Sequence, residues 1–134
     1  MSEINDFLNE AGIFYLATED GDQPELRPIG AHFEMDGKIL FGIGTFKNVY
    51  RQMVKNPHVQ IVALNMKKGA QWLRYSGTAV FETDPKYAAY SLEKNPGLKK
   101  VYNEETGKKL GMFHLENATA QIMGPDGSVI KKIL

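Results

Sequence analysis

The chain has 134 residues, no cysteine, 43% hydrophobic residues and 16 basic against 16 acidic side chains. That is the length of one domain (residues 1–134) with enough apolar mass for a core, and it excludes disulfide and thiolate chemistry. The balanced charge gives no nucleic-acid footprint, the start Met1-Ser2-Glu3-Ile4-Asn5-Asp6 does not read as a signal peptide, and no apolar run spans a bilayer, so a cytoplasmic protein is expected.

Ser2 can cap a short helix whose buried stripe is Ile4, Phe7, Leu8 and Ala11 and which stops at Gly12. Residues 13–18 read as a first strand, and Asp20-Gly21-Asp22 as a turn. Residues 24–35 read as a second strand, Asp36-Gly37 as a hairpin turn and residues 38–43 as a third strand. Thr45 is placed to cap a helix carrying Phe46, Val49, Tyr50 and Met53 at helical spacing, which Asn56-Pro57 ends. Residues 58–65 and 71–83 form the fourth and fifth strands, with Gly77 at a bulge or close approach. Asp84-Pro85 caps a third helix, Asn95-Pro96-Gly97 breaks it, and residues 98–110 form a charged, helical or irregular surface segment. Residues 111–123 are the sixth strand, and a short strand or tail follows the turn Gly124-Pro125-Asp126-Gly127. Tight turns between consecutive strands imply an antiparallel sheet. Six or seven strands at this length imply a mainly β fold, a small β-barrel with flanking helices.

The residues with chemical promise gather around Gly42-Ile43-Gly44-Thr45-Phe46-Lys47-Asn48. Lys47 falls at the start of a helix, where the macrodipole is positive and a cation is disfavoured. A bound anion there would remove the conflict, with backbone N–H groups, a threonine hydroxyl and the lysine as its cradle. The alternative is that Lys47 simply points into water. Arg27-Pro28 lies in the second strand, where proline marks an edge, a bulge or backbone turned to a ligand. If strands two and three form the Asp36-Gly37 hairpin, Arg27 pairs near residues 42–45 and brings a second cation to the same helix start. A phosphate would then serve as their common counterion. The alternative is a salt bridge from Arg27 to Glu25 or Glu34. Asn48 and Gln52 add amides on the same helix face, suited to the polar edge of a heterocycle or to plain solvation. Trp72 and Arg74 share a strand face and could wall a planar ligand, or serve packing or an interface. His32, His58 and His114 show no metal-ligand spacing, and no metal site is expected. His32 and Glu34 read as a surface pair.

In combination, Arg27-Pro28-Ile29, Asp36-Gly37 before Phe41, Thr45 to Lys47 and the run Gln52-Met53-Val54-Lys55-Asn56-Pro57 resemble a known family. It is the pyridoxamine 5'-phosphate oxidase-like, FMN-binding split-barrel proteins; Trp72, Arg74 and Gly77 in a later strand are consistent with it. The resemblance implies a six-stranded antiparallel split barrel paired as a homodimer, with FMN between subunits. It places Arg27, Thr45, Lys47 and Asn48 on the phosphate and ribityl side and gives the backbone of Pro28 and Ile29 to the isoalloxazine edge. It sends Gln52 to the flavin from the helix and brings Trp72 and Arg74 from the partner subunit. The chain departs from the true pyridoxamine phosphate oxidases. His32 stands near the place of their strand-two lysine, and their C-terminal Arg-x-His-type segment is not present, so vitamin B6 oxidation is not expected. The closer likeness is to the small flavin-reductase-like and nitroimidazole-resistance-like members.

An FMN-dependent oxidoreductase is therefore the leading expectation, with a small-molecule substrate and no catalytic side chain named. A split barrel holding deazaflavin or heme, and a non-enzymatic flavin-binding dimer, are the alternatives. Heme would take His32, His58 or His114 as its axial ligand.

Overall fold

A computed structural model describes residues 2–134. The side chain of Ser2 lies outside the description, and so does its expected capping role. The elements run α1 (Ser2–Ala11), β1 (Phe14–Asp20), β2 (Gln23–Ile29), β3 (His32–Met35), β4 (Lys38–Gly44), α2 (Asn48–Lys55), β5 (His58–Asn65), β6 (Gln71–Phe81), α3 (Pro85–Lys94), β7 (Leu110–Met123) and β8 (Val129–Lys132). Short 3-10 turns at Met66–Lys68 and Pro96–Lys100 complete the order. All eight strands belong to one antiparallel sheet, ordered β2-β1-β5-β6-β7-β4-β3, with β8 paired to β7.

The punctuation residues act as their chemistry requires. Asp36 and Gly37 both take positive φ, 55° and 72°, which is the conformation a two-residue hairpin between β3 and β4 demands. Asp84 accepts the Lys86 N–H at 3.0 Å, with Pro85 in the first turn of α3. α2 stops at Lys55, one residue before the Asn56-Pro57 pair. At Gly77 the β6–β7 register shifts, and a Cβ there would lie 2.9 Å from the Glu116 carbonyl oxygen, so the bulge and the close approach are the same feature.

Three expectations are corrected. The barrel has eight strands rather than six, because the expected second strand is two strands and residues 129–132 pair as a last one. The break falls at Gly30-Ala31, so β2 pairs with β1 and only β3 forms the Asp36-Gly37 hairpin. Arg27 therefore sits opposite Leu16, not opposite residues 42–45. Pro28 and Gly30 are the local signs of this break, and the apolar alternation that runs on through Ile29, Ala31 and Phe33 masks them. Finally, α2 begins two residues later than expected, with Lys47 and not Thr45 at its N-cap.

That break has a topological consequence. β2 and β3 are consecutive in the chain yet occupy opposite ends of the strand order. Gly30-Ala31 thus carries the chain from one edge of the curled sheet to the other, across the split of the barrel. The core fills the concave side. It draws Phe14 and Leu16 from β1, Ile39, Phe41 and Ile43 from β4, and Leu73 and Tyr75 from β6. α1 closes it with Ile4, Phe7 and Leu8, and α2 with Val49 and Met53. A smaller cluster of Phe33, Leu40, Tyr87 and Met112 seats α3 on the outer side of β4 and β7. β4 is therefore buried on both faces, which explains its nearly continuous apolar run.

Candidate functional site

Beside the crossing from β2 to β3 lies a groove made of two adjoining hollows. One, of about 240 Å³, is lined by Arg27, Pro28, Ile29 and Gly30 together with Lys47 and Tyr102. The other, of about 350 Å³, is lined by Glu25, Arg27, Pro28, Lys47, Asn48 and Gln52. Arg27, Pro28, Lys47 and Val49 belong to both. The fold thus brings strand β2 against the opening of α2 by a route other than the expected hairpin. β1 carries β2, and α2 packs on β1.

Arg27 is half-buried and tied inward. Its Nη1 donates to the Leu16 carbonyl at 3.2 Å, the Glu25 carbonyl at 3.3 Å and the Thr18 hydroxyl at 2.6 Å. Its Nη2 donates to Gln52 Oε1 at 3.0 Å. The Thr18 hydroxyl in turn donates to Gln52 Oε1 at 2.7 Å. Arg27, Thr18 and Gln52 therefore form a closed polar triangle under the groove. Burial lowers the Arg27 pKa, while the nearby Glu25 carboxylate opposes that shift. The guanidinium still carries its charge at neutral pH. Its partners are a hydroxyl, an amide and two carbonyls, and the alternative of a salt bridge to Glu25 or Glu34 is not among these bonds.

Lys47 caps α2 in an extended conformation (φ −85°, ψ 157°) and supplies no capping acceptor. Among the described residues it makes no ion pair, and its ammonium lies 5.9 Å from the centre of the Phe46 ring. A cation thus stands at a helix start whose N-cap supplies no side-chain hydrogen bond to the first-turn N–H groups. Asn48 opens the helix and accepts a bond from Arg51, and among the described residues its amide N–H₂ and that of Gln52 have no acceptor. Thr45 turns the other way. Its backbone N–H and its hydroxyl both donate to the Lys109 carbonyl, at 3.0 and 3.3 Å, so it anchors the turn to the start of β7.

Trp72 and Arg74 lie apart from these residues, on β6. The guanidinium stacks 4.9 Å from the Trp72 ring centre, in keeping with their common strand face. That face is the outer one. It continues through Val62 to Tyr15 and Pro28, which are register neighbours of Arg74 across β5 and β1. Ile13, Tyr15, Leu26 and Leu64 are all exposed apolar side chains in this part of the molecule.

The histidines lie away from the groove. His32 is buried, not paired on the surface with Glu34; its ring meets Phe14 edge-on at 5.4 Å, and its Nδ1–H donates to Asn5 Oδ1 at 2.8 Å. Burial pushes its pKa down to about 4, and the Lys94 charge adds to the shift. His114 lies between Glu82 and Glu116, and His58 is exposed. Two further site residues carry little sequence signal. Thr18 continues the inward series Phe14, Leu16, and a hydroxyl at that inward position was its one mark. Tyr102 stands alone as an aromatic in the charged segment after α3. That segment is not a purely solvated face, since Tyr102 packs against Phe46 with ring centres 6.2 Å apart.

The sequence pattern describing pyridoxamine 5'-phosphate oxidase matches residues 1–123. A NimC/NimA family protein from Clostridium acetobutylicum superposes with a TM-score of 0.86 and 33% identity, covering 99% of this chain and 90% of that one. General stress protein 26 from Bacillus anthracis gives a TM-score of 0.71 at 16% identity over 97% of this chain and 96% of that one. A protein from C. acetobutylicum related to general stress protein 26, of the pyridoxinephosphate oxidase family, gives 0.69 at 15% identity over 98% and 90%. The latter two likenesses speak for the fold alone. No curated protein matches the chain. A groove at the split of an eight-stranded curled sheet, its cations gathered at a helix start, and a family match over most of its length agree: this chain belongs to the pyridoxamine 5'-phosphate oxidase family of flavin-binding split-barrel proteins.

Proposed function

We propose that this protein binds FMN in the groove beside α2 and acts as an oxidoreductase, passing electrons between a reduced nicotinamide or similar donor and a small-molecule acceptor. The observation that carries the reading is the convergence of Lys47, unpaired among the described residues, and Arg27 on one groove at an uncapped helix start. Two positive charges and free N–H groups in one place fit a phosphate dianion. Lys47 and the first turn of α2 would hold it. Arg27 would contribute its charge from below, since its own donors are largely committed to Thr18, Gln52 and two carbonyls. The amide donors of Asn48 and Gln52 suit the ribityl hydroxyls or ring oxygens, and the backbone at Pro28 and Ile29 suits the ring edge. Thr45 has its hydroxyl turned to Lys109, so its part is to fix the turn that presents Lys47.

FMN, when bound, supplies the electron and hydride transfer, and the protein supplies binding and orientation. A homodimer completes the reading. Pro28 of the groove and the Trp72–Arg74 stack lie on one outer sheet face with exposed Tyr15, Leu26 and Leu64 around them. A second copy seated on this face would cover the apolar side chains and bring its own Trp72 and Arg74 to the groove. No histidine lines the groove, so no observation favours heme.

The visible spectrum of the purified protein tests the cofactor. Bands near ~370 and ~450 nm are expected of oxidised flavin, and a Soret band instead would overturn the reading. The double substitution Arg27→Ala, Lys47→Ala should weaken FMN roughly 100-fold or more, because each charge-assisted hydrogen bond contributes about 1.5–3 kcal/mol. Unchanged affinity in that variant would put the phosphate elsewhere. Light scattering of Leu26→Glu, Leu64→Glu should show a monomer where the parent is a dimer.

A further inference from the structure

A larger cavity, of about 750 Å³, lies between α3 and the segment that follows it. Its size is within the range of about 300–1,000 Å³ typical of small-molecule sites. Pro85, Ala88, Leu92, Leu110 and Met112 give it an apolar wall. Tyr102 and Leu110 line both this cavity and the groove beside Lys47, so they form the partition between the two. We propose that this cavity is the substrate chamber of the flavin site. It takes a neutral, apolar molecule bearing a hydrogen-bond-accepting oxygen, which the Tyr102 hydroxyl meets. This rests on the flavin reading of the groove and adds the class of molecule that reacts there.

Two of the acidic groups around the cavity are already engaged. Glu82 is paired with Lys38 at 3.0 Å and lies 2.6 Å from His114 Nδ1. Asp84 is engaged as the N-cap of α3. Glu104, Lys108 and Lys109 also line the cavity, so both signs are present on the remaining rim. Tyr102 is the polar side chain on the wall shared with the groove. It is 9% exposed, and its hydroxyl makes no hydrogen bond to any described residue. The ring is fixed by the Phe46 contact and by the Tyr102 N–H donating to the Leu98 carbonyl at 2.9 Å. The hydroxyl rests on Gly44, where even a Cβ would come within 2.7 Å of it. The absence of a side chain at residue 44 therefore makes room for this phenol. Burial raises the Tyr102 pKa, which keeps the O–H as a donor at neutral pH. Ser91 Oγ and His114 Nδ1, not the Tyr102 hydroxyl, are the fully buried polar side-chain atoms without a hydrogen bond among the described residues, so the phenol stays open to water and can exchange it for an acceptor oxygen on a ligand.

The test is a titration of the purified protein with 2-acetylnaphthalene and, separately, with 2-ethylnaphthalene, which lacks the carbonyl oxygen. The methyl resonances of Met112, Ala88, Leu92 and Leu110 report the site. Saturable shifts of these methyls are expected from both probes. Tyr102→Phe should weaken 2-acetylnaphthalene roughly five- to tenfold and leave 2-ethylnaphthalene within about twofold, as loss of one hydrogen bond requires. Ala88→Phe should fill the cavity and weaken both. Absence of saturable shifts, shifts confined to other methyls, or an equal response of the two probes to Tyr102→Phe would each overturn the proposal. Absorbance near ~450 nm in the same samples keeps the two readings apart. Retained flavin with no probe binding removes the chamber alone, whereas probe binding to a protein without flavin removes the reading of the groove and, with it, the cavity's role as the chamber of a flavin site.

Discussion

Arg27 and His32 stand five positions apart, one on each side of the Gly30-Ala31 crossing, and the fold treats them in opposite ways. Arg27 ends at the groove. It keeps its charge, with carbonyls, a hydroxyl and an amide around it and one side open. His32 ends under α1 between Phe14 and Phe41, with Asn5 as its one bonded partner, and burial holds it neutral. Both are polar groups taken partly out of water. The difference is the basicity each group starts from and the depth of its burial. A guanidinium is so strong a base that burial leaves it ionised, while an imidazole, ordinarily balanced near neutrality, is made neutral by burial beside the Lys94 charge. The crossing at the split of the barrel thus separates a side built to hold charge from a side built to exclude it.

The largest effect expected within that comparison comes from Arg27→Leu. It keeps the apolar stem and removes every charge-assisted bond to Thr18, Gln52 and the two carbonyls. Urea unfolding should show a loss of about 2–3 kcal/mol, the scale of hydrogen bonds to a charged group. A loss below about 0.5 kcal/mol would mean that the triangle contributes nothing to the fold and that the arginine is kept for the ligand alone.

The next effect depends on pH. The His32 pKa is about 4 in the folded state, against an ordinary value of 6.5. Between these values the unfolded chain takes up the proton and the folded protein does not. The His32 contribution is therefore intact above pH 6.5, declines as the pH falls, and is exhausted near pH 4. A stability loss of about 2–3 kcal/mol across that window is expected, since each tenfold change in proton affinity between the folded and unfolded chain corresponds to about 1.4 kcal/mol. His32→Phe should keep the aromatic packing and flatten that slope in urea titrations at pH 7, 5.5 and 4. A variant with the parent's slope would assign the pH dependence to other groups.

The ends of the elements were legible in the sequence because single residues dictate them. Asp36-Gly37 forces positive φ at both positions, Asp84-Pro85 starts α3, and Asn56-Pro57 ends α2. Gly77 announced its bulge by its missing side chain. The break at Gly30-Ala31 was not legible, because it is set by where the sheet's two edges fall and not by local propensity. That pairing also decided the site. The sequence brought Arg27 and Lys47 together through a hairpin to which the Arg27 strand does not belong, and the fold brings them together through β1 and α2 instead. Thr45 met every local rule for an N-cap yet was claimed by the Lys109 carbonyl, a contact 64 positions away along the chain. Tyr102 read as part of a solvated stretch because its partner, Phe46, is equally remote in sequence.

The smallest effect is the sharpest probe of the comparison, because it changes one oxygen atom. Thr18 is 3% exposed, and its hydroxyl bridges Arg27 and Gln52. Thr18→Val retains the shape and the β-branch and removes only that bridge. If the triangle is a unit, its cost should be about 1–2 kcal/mol in urea, including the exposure of Gln52 Oε1 to a lost donor. In the Arg27→Leu background, the same substitution should cost measurably less, because the hydroxyl has then already lost its strongest donor. A double-mutant cycle reads that difference directly. Strict additivity would break the triangle into two independent bonds. The charge on the groove side would then depend on Arg27's carbonyl partners, and Thr18 would be no more than a core residue with a satisfied hydroxyl. Coupling of about 0.5 kcal/mol or more would instead show that the inward threonine, the helix glutamine and the strand arginine hold the guanidinium in place together.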